Sequence, residues 1–471
     1  MKTSTGQSTR AALAASMLVV SHALFGQSAT VPRIEPSAAA VAYGVSADSL
    51  SWEQALDLAL WASSVPGLGG PKPAEEARTA DARQAASRLA ASRKAVTDAA
   101  ADLARELPPS ATEAEAADFV LRFMHRRFLK SYSERQTRLD LLTESGRYNC
   151  VSSAALYAVL ALSIGLDVSA VASSDHAFCV VRADGMDYDV ETTNPWGFDP
   201  GSKKEFHDSF GTTTGFAYVS PKDYRNRNSM GVKELFSLIL SNRIVELESS
   251  RRYSEAVGLS VDRWTLLGSP AEGDGAYGEL LGRLLNYGSS LAMAGKESEA
   301  LAWAGAAVAA FGPNPRWTEF RGTALNNLVV GLLRRSDVGA ARARLDAEGG
   351  TVPPRMKEEL ERAIAATELA EAIKAAERIA RTDGWRAGLA ALDAVNASSA
   401  DPKALADARR VFRGNRIAEL HNRFAALYNA RSYAEAREAA AEAVAEFPDD
   451  TRLKADLETA ERALVSSGAG R

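Results

Sequence analysis

The sequence predicts an α+β core followed by a mainly α domain. Three observations carry that expectation. The apolar period is helical up to about residue 165, shortens to near 2 between residues 168 and 193, and returns to helical from residue 231. Asp184-Gly185, the preferred pair for a type I′ turn, joins two alternating runs into a hairpin. Beyond residue 231 a short pattern ending in a small residue recurs, as helical hairpins require. At 471 residues, 46% hydrophobic and 24% charged, the chain has the composition of a globular protein of two or three domains. A net charge of -5 over that length is mild and argues neither for a nucleic-acid footprint nor for an acidic tail, and 2 Cys leave no disulfide framework, one bridge at most.

Taken in order, residues 1–28 have the features of a secretory signal. Lys2 and Arg10 form a positive start, Ala11 to Phe25 an apolar stretch, and Gly26-Gln27-Ser28-Ala29 a small-residue cleavage region. The stretch is too short for a membrane span, and no later segment reaches 18 unbroken apolar residues. The expectation is an exported protein, periplasmic or extracellular, with no stable membrane span once the signal is removed. Residues 29–110 are a linker and N-terminal helices. Ser51-Trp52-Glu53-Gln54 opens one helix as a capping box. A long polar helix from Ala74 to Leu107 stops at Pro108-Pro109.

The core is expected over 111–230. Ser110 or Thr112 caps a helix whose stripe is Ala116, Phe119, Val120, Phe123, Met124 and Phe128. His125 falls off that stripe and is expected to face solvent. Tyr148-Asn149-Cys150-Val151-Ser152-Ser153 then leads into an apolar helix that Gly165 ends. This puts Cys150 at a helix N-terminus, where unpaired N–H groups and the macrodipole favour a thiolate. The opposite expectation is that Cys150 is simply a small buried hydrophobe. Val168 to Ala172, His176 to Arg182 and Asp187 to Thr193 are strands.

A two-residue turn at Asp184-Gly185 dictates the register. Ala183 pairs Met186, Arg182 pairs Asp187, Val180 pairs Asp189, Phe178 pairs Glu191 and His176 pairs Thr193. His176, Phe178, Asp189 and Glu191 then share one face and Cys179 the other, which argues against a Cys150–Cys179 bridge. Asp189 lies about 13 Å of strand from His176. Glu191 is a diagonal neighbour at about 7–8 Å, within reach of its longer side chain. Glu191 is therefore the preferred acid and Asp189 the alternative should the turn be longer. A thiol, an imidazole and a carboxylate in that order suit acyl transfer: nucleophile, acid–base and orienting group. The Cys150 N–H is one candidate oxyanion donor and Asn149 a second. His207 and His421 are isolated and expected at the surface. Asp187, Asp189 and Glu191 alternate but lack His or Cys at ligand spacing, so no metal is expected. Gly67-Leu68-Gly69-Gly70 lacks the lysine of a phosphate loop, so no cofactor is expected either.

These residues resemble the transglutaminase-like (papain-like) cysteine-enzyme superfamily. The resemblance rests on Asn149 to Tyr157, the helix end around Gly165, His176-Ala177-Phe178 and Tyr188 to Thr193. It covers roughly Phe119 to Phe198, under a fifth of the chain. It implies that family's Cys-His-Asp triad, carried here by Cys150 and His176. The acid departs from the family pattern, with Glu191-Thr192 where Asp-Pro is usual, and Phe178 stands where Trp is common.

Residues 231–471 show the recurrent pattern at Tyr253 to Ala256, Glu297 to Ala300, Asp337 to Ala340, Trp385 to Gly388 and Tyr433 to Ala436. The small residue returns after 44, 40, 48 and 48 positions. The pattern resembles tetratricopeptide-type helical hairpins, with spacing longer than that family's ~34 residues; a plain helical bundle is the simpler reading. The expected function is an exported cysteine amidase or peptidase acting on a protein or peptide substrate. The helical tail is expected to bind a protein partner. The alternative is a catalytically inactive scaffold.

Overall fold

The structure, a computed structural model, describes residues 32–45, 50–64, 75–173, 176–201, 203–215, 228–395 and 401–468. The signal segment at 1–28 lies outside the described residues. The chain forms two compact units, the first ending at Pro313 and the second beginning at Asn314.

In the first unit the elements are α1 (Ala38–Gly44), α2 (Trp52–Ser64), α3 (Glu75–Glu106), α4 (Glu113–Arg127), β1 (Ser131–Tyr132), α5 (Leu139–Ser145), β2 (Arg147–Tyr148), α6 (Cys150–Ser163), β3 (Asp167–Ala172), β4 (Ala177–Ala183), β5 (Met186–Val190), α7 (Lys204–Thr214) and β6 (Asn228–Met230). The helices α8 (Val232–Ser249), α9 (Tyr253–Leu266), α10 (Gly275–Met293) and α11 (Glu297–Phe311) complete it.

Helix α6 is the centre of the core. Every side chain from Ala154 to Ala161 is wholly buried. A helix apolar on all sides has no solvent face to offer, and α2, α3, α4, α5 and α8 cover it from several directions. The covering side of α8 is Leu235, Phe236, Ile239 and Leu240, all inaccessible. The all-helical stretch thus begins after β6 as expected, but its first helix belongs to the same core as the sheet.

The sheet has the order β5-β4-β3-β6, antiparallel at each junction. Ala177, Cys179, Val181 and Ala183 of β4 face the main core; Phe178 and Val180 join Val171 on the other side. This is the alternation that period-2 patterning demands. The turn residues Asp184 and Gly185 have φ of 52° and 80°, the type I′ signature. The ladder from Ala183↔Met186 to Val180↔Asp189 follows the expected register and continues one pair further, to Cys179↔Val190. Strand β5 stops there. The expected extension to Thr193 is replaced by a tight loop in which the Glu191 N–H donates to the Gly197 carbonyl at 2.8 Å.

From α8 onward the helices come in antiparallel hairpins. In the first unit they are α8/α9 and α10/α11. The second unit comprises α12 (Pro315–Arg334), α13 (Val338–Glu348), α14 (Pro354–Asp383), α15 (Trp385–Asp393), α16 (Pro402–Asn429), α17 (Tyr433–Glu446) and α18 (Thr451–Gly468). Its hairpins are α12/α13, α14/α15 and α16/α17, with α18 packed on the last. Each recurrent segment begins the second helix of a hairpin. One residue at positive φ turns the chain just before it: Arg251, Gly295, Ser336, Gly384 and Arg431. The small residue is where the helices touch. A Cβ on Gly388 would lie 2.6 Å from the Ala380 Cβ and 2.9 Å from the Ala376 carbonyl. Ala256, Ala300 and Ala436 are equally buried; in the third hairpin Ala341 takes that place instead of Ala340. Among the described residues no helix is long and apolar enough to cross a membrane.

Candidate active site

Asn149 is the N-cap of α6. Its Oδ1 accepts from the Ser152 N–H at 3.0 Å, and the Ser152 hydroxyl oxygen accepts from the Asn149 N–H at 2.9 Å, a reciprocal capping box. Its Nδ2 donates to the Glu134 carbonyl at 2.9 Å. Asn149 is only 2% exposed, so its side chain holds the helix start rather than facing the cleft. Cys150 therefore occupies the first helical position. Its N–H has no acceptor within the helix and its thiol lies at the positive end of the helix dipole. Cys150 is half-buried and free.

His176 sits immediately before β4. Its Nε2 and the Glu191 Oε2 are 2.5 Å apart. The Cys150 thiol lies near enough to the ring to act on its protonation. The three residues thus come together near the start of α6, with the imidazole bonded to the carboxylate. Asp189 stands opposite Val180, farther along the hairpin, and the acid that bonds the ring is Glu191. Cys179 points the other way: its Sγ donates to the Ala154 carbonyl at 3.4 Å, inside the core. Burial, aided by the Glu191 charge, pushes that thiol far above its ordinary range, so it is an inert group.

The electrostatics favour a charged His176–Glu191 pair. Burial alone would favour the neutral ring of His176. The Glu191 charge, the hydrogen bond that the ring donates to Glu191, and the neighbouring Cys150 outweigh it and raise the pKa well above the ordinary 6.5. For Glu191 burial acts upward, and the His176 charge together with the hydrogen bonds of His176 and Thr193 brings the pKa below 4.5. The second carboxylate oxygen, Oε1, accepts from the Thr193 N–H at 3.2 Å and from its hydroxyl at 2.6 Å. A carboxylate whose side chain is only 4% exposed is thus satisfied on both oxygens.

Aromatic rings surround the imidazole. Phe178 stacks on it, with centroids 6.3 Å apart and planes at 28°, and Phe210 of α7 meets it edge-on at 6.5 Å. Tyr132 packs edge-to-face on Tyr148 at 5.9 Å, where parallel pairing of β1 with β2 brings it beside the start of α6. Burial, then the charges of Cys150, Glu134, Glu191 and Tyr148, keep its phenol protonated. The Tyr148 phenol is pushed up to about 12 by burial and the Glu191 charge.

Several participants were not legible in the sequence. The segment after Glu191 is gripped from three sides. The Ser153 and Thr192 hydroxyls are 2.8 Å apart, the Tyr148 hydroxyl donates to the Thr193 carbonyl at 3.2 Å, and His125 Nε2 lies 3.0 Å from the Thr192 carbonyl oxygen. His125 is therefore not the solvent-facing residue expected. The buried arc of α4 also includes Ala117 and Leu121, wider than the six-residue stripe, and His125 falls at its margin. His421 also departs from expectation. It is half-buried, with its Nδ1 2.7 Å from an Asp456 oxygen, joining α16 to α18. His207 is exposed, as expected, and touches the Gly201 carbonyl at 3.0 Å. Comparison with known proteins finds no match to this chain among family models, curated proteins or solved structures.

Proposed function

We propose that this chain is an exported cysteine amidase or peptidase of transglutaminase-like type, with Cys150 as nucleophile, His176 as acid–base and Glu191 as the orienting acid. The observation that carries the reading is the His176 ring bonded to the buried Glu191 carboxylate, with Cys150 near it at the N-terminus of a buried helix. The Cys150 sulfur, as thiolate, attacks the carbonyl carbon of a protein or peptide amide. The carbonyl electron pair moves to oxygen, where the Cys150 N–H at the helix start can receive it. The C–N bond then breaks, and the imidazolium proton passes to the departing amine, leaving a thioester on Cys150. Water next gives a proton to the His176 ring and its oxygen to the acyl carbon. The C–S bond breaks, a carboxylic acid leaves, and the thiolate and imidazolium are restored. Water is the default acceptor, and nothing among the described residues around the site marks an amine-binding position, so hydrolysis is preferred to amine transfer. The tail of helical hairpins, each closed by a small residue where its helices touch, is proposed to bind a protein partner.

The test is alkylation at pH 6.5. An ordinary thiol, with a pKa of about 8.5, is only ~1% thiolate there. Iodoacetamide should label Cys150 at least about tenfold faster than free cysteine, and Cys150→Ala should abolish the fast labelling. Labelling no faster than free cysteine would defeat the enzyme reading and leave an inactive protein-binding scaffold in its place.

A further inference from the structure

We propose that His125, acting as a neutral hydrogen-bond donor at the end of α4, is a positioning residue that holds the acid-bearing loop so that Glu191 faces His176. The inference rests on the cysteine-hydrolase reading and adds to it a residue outside the triad.

Glu191 lies beyond the end of β5, so the strand ladder does not hold it. Its backbone N–H is fixed by the Gly197 carbonyl. The next two carbonyls, of Thr192 and Thr193, each need a donor, because both residues are wholly buried. Tyr148 supplies one and His125 the other. A carbonyl oxygen can only accept, so the His125 Nε2 must carry the proton, and a neutral ring then has none on Nδ1. Burial holds the ring neutral, with its pKa lowered to about 4 against the smaller opposing pulls of the Thr192 carbonyl and the Glu191 charge. The edge-to-face packing of His125 on Tyr148, centroids 6.1 Å apart, fixes both donors as one unit. A neutral donor suits this place. A second cation beside Glu191 would draw on the same carboxylate charge that His176 uses.

Replacing the ring by an aromatic ring without a donor leaves the Thr192 carbonyl buried and unpaired. His125→Phe does this; His125→Gln restores an N–H at similar reach. The readout is the rate at which iodoacetamide labels Cys150 at pH 6.5 in the full chain, with melting temperature measured alongside. His125→Phe should slow labelling by roughly tenfold, the effect of one lost buried hydrogen bond expressed at the site. His125→Gln should stay within about twofold of wild type. If His125→Phe does not fold, His125→Asn, whose shorter amide cannot reach Thr192, takes its place with the same expected loss. A donor-free variant labelling at the wild-type rate overturns the proposal, as does a Gln variant that falls as far as Phe. In either case a fast wild-type Cys150 leaves the enzyme reading standing. A wild-type Cys150 no faster than free cysteine overturns both.

Discussion

Gly197→Ala should damage the candidate site without replacing Cys150, His176 or Glu191. Gly197 closes the loop that begins at Glu191, and a Cβ built there would lie 2.0 Å from the Glu191 carbonyl oxygen, 2.8 Å from its carbon and 3.0 Å from the Asn194 oxygen. All three are backbone atoms, so no side-chain rotation relieves the clash. Moving from 2.0 Å to an ordinary contact of at least 3.4 Å demands a displacement of 1.4 Å in the main chain of the acid itself. Glu191 is held by a 2.5 Å contact to His176 at one end and a 2.8 Å bond to Gly197 at the other. Both cannot survive that shift. Overpacking of this kind costs about 1–3 kcal/mol, seen as a melting temperature lower by a few degrees. The labelling rate of Cys150 by iodoacetamide at pH 6.5 should fall by about tenfold or more, since misplacement of about 1 Å at a reacting group has effects of that order. The assay is thermal unfolding by circular dichroism beside timed alkylation read by mass spectrometry. An alanine variant with wild-type melting and wild-type labelling would refute the claim that the Glu191–Gly197 loop sets the position of the acid.

Two further outcomes follow from the same geometry. Glu191→Gln should lower stability most between pH 4.5 and 6.5. The Glu191 pKa is depressed, so its contribution is present above 4.5 and lost as pH falls through the folded value; that of His176 is raised, so its contribution is complete below 6.5 and declines as pH rises toward the folded value. Melting curves of wild type and variant across pH 3–10, approximately the range that spans both limbs, would contradict this if their separation did not change with pH. Asn149→Ala should cost about 1–2 kcal/mol through loss of the α6 cap. Asn149→Ser, which keeps a capping oxygen, should recover most of that in urea unfolding, and equal losses in the two would rule out capping as the role of Asn149.

What could be read from the sequence was local. Asp184-Gly185 pinned the hairpin because both turn residues need positive φ, and every expected pair through Val180↔Asp189 followed from that one constraint. The position of Cys150 was equally local, since an apolar helix with Asn149 before it and Gly165 after it has defined ends. The hairpins of the tail announced themselves through single small residues, because two helices approach closely only where a side chain is nearly absent, as at Gly388. The expected pairing of Phe178 with Glu191 failed at the point where a non-local demand took over. The Gly197 carbonyl captured the Glu191 N–H and ended the strand.

The same distinction explains why the supporting residues were invisible while the candidate reactive ones were not. Cys150, His176 and Glu191 can be proposed from chemistry and register, because each is an unusual residue at a constrained place in a short segment. His125 is 67 positions from Thr192, and Tyr132 is brought to Tyr148 by a parallel pairing of two-residue strands that no periodicity marks. Their places depend on how α4 and β1 pack around α6, and packing is a property of the whole core. The reading of Asn149 as an oxyanion donor and its place as a helix cap differ for a related reason. Both uses require an amide at the helix mouth, and the choice between them depends on the Glu134 carbonyl, which lies 15 residues upstream in a loop. Sequence chemistry thus nominates candidate reactive groups, and the fold decides which polar neighbours hold them. The proposed arrangement is therefore best tested through the residues that hold it in place.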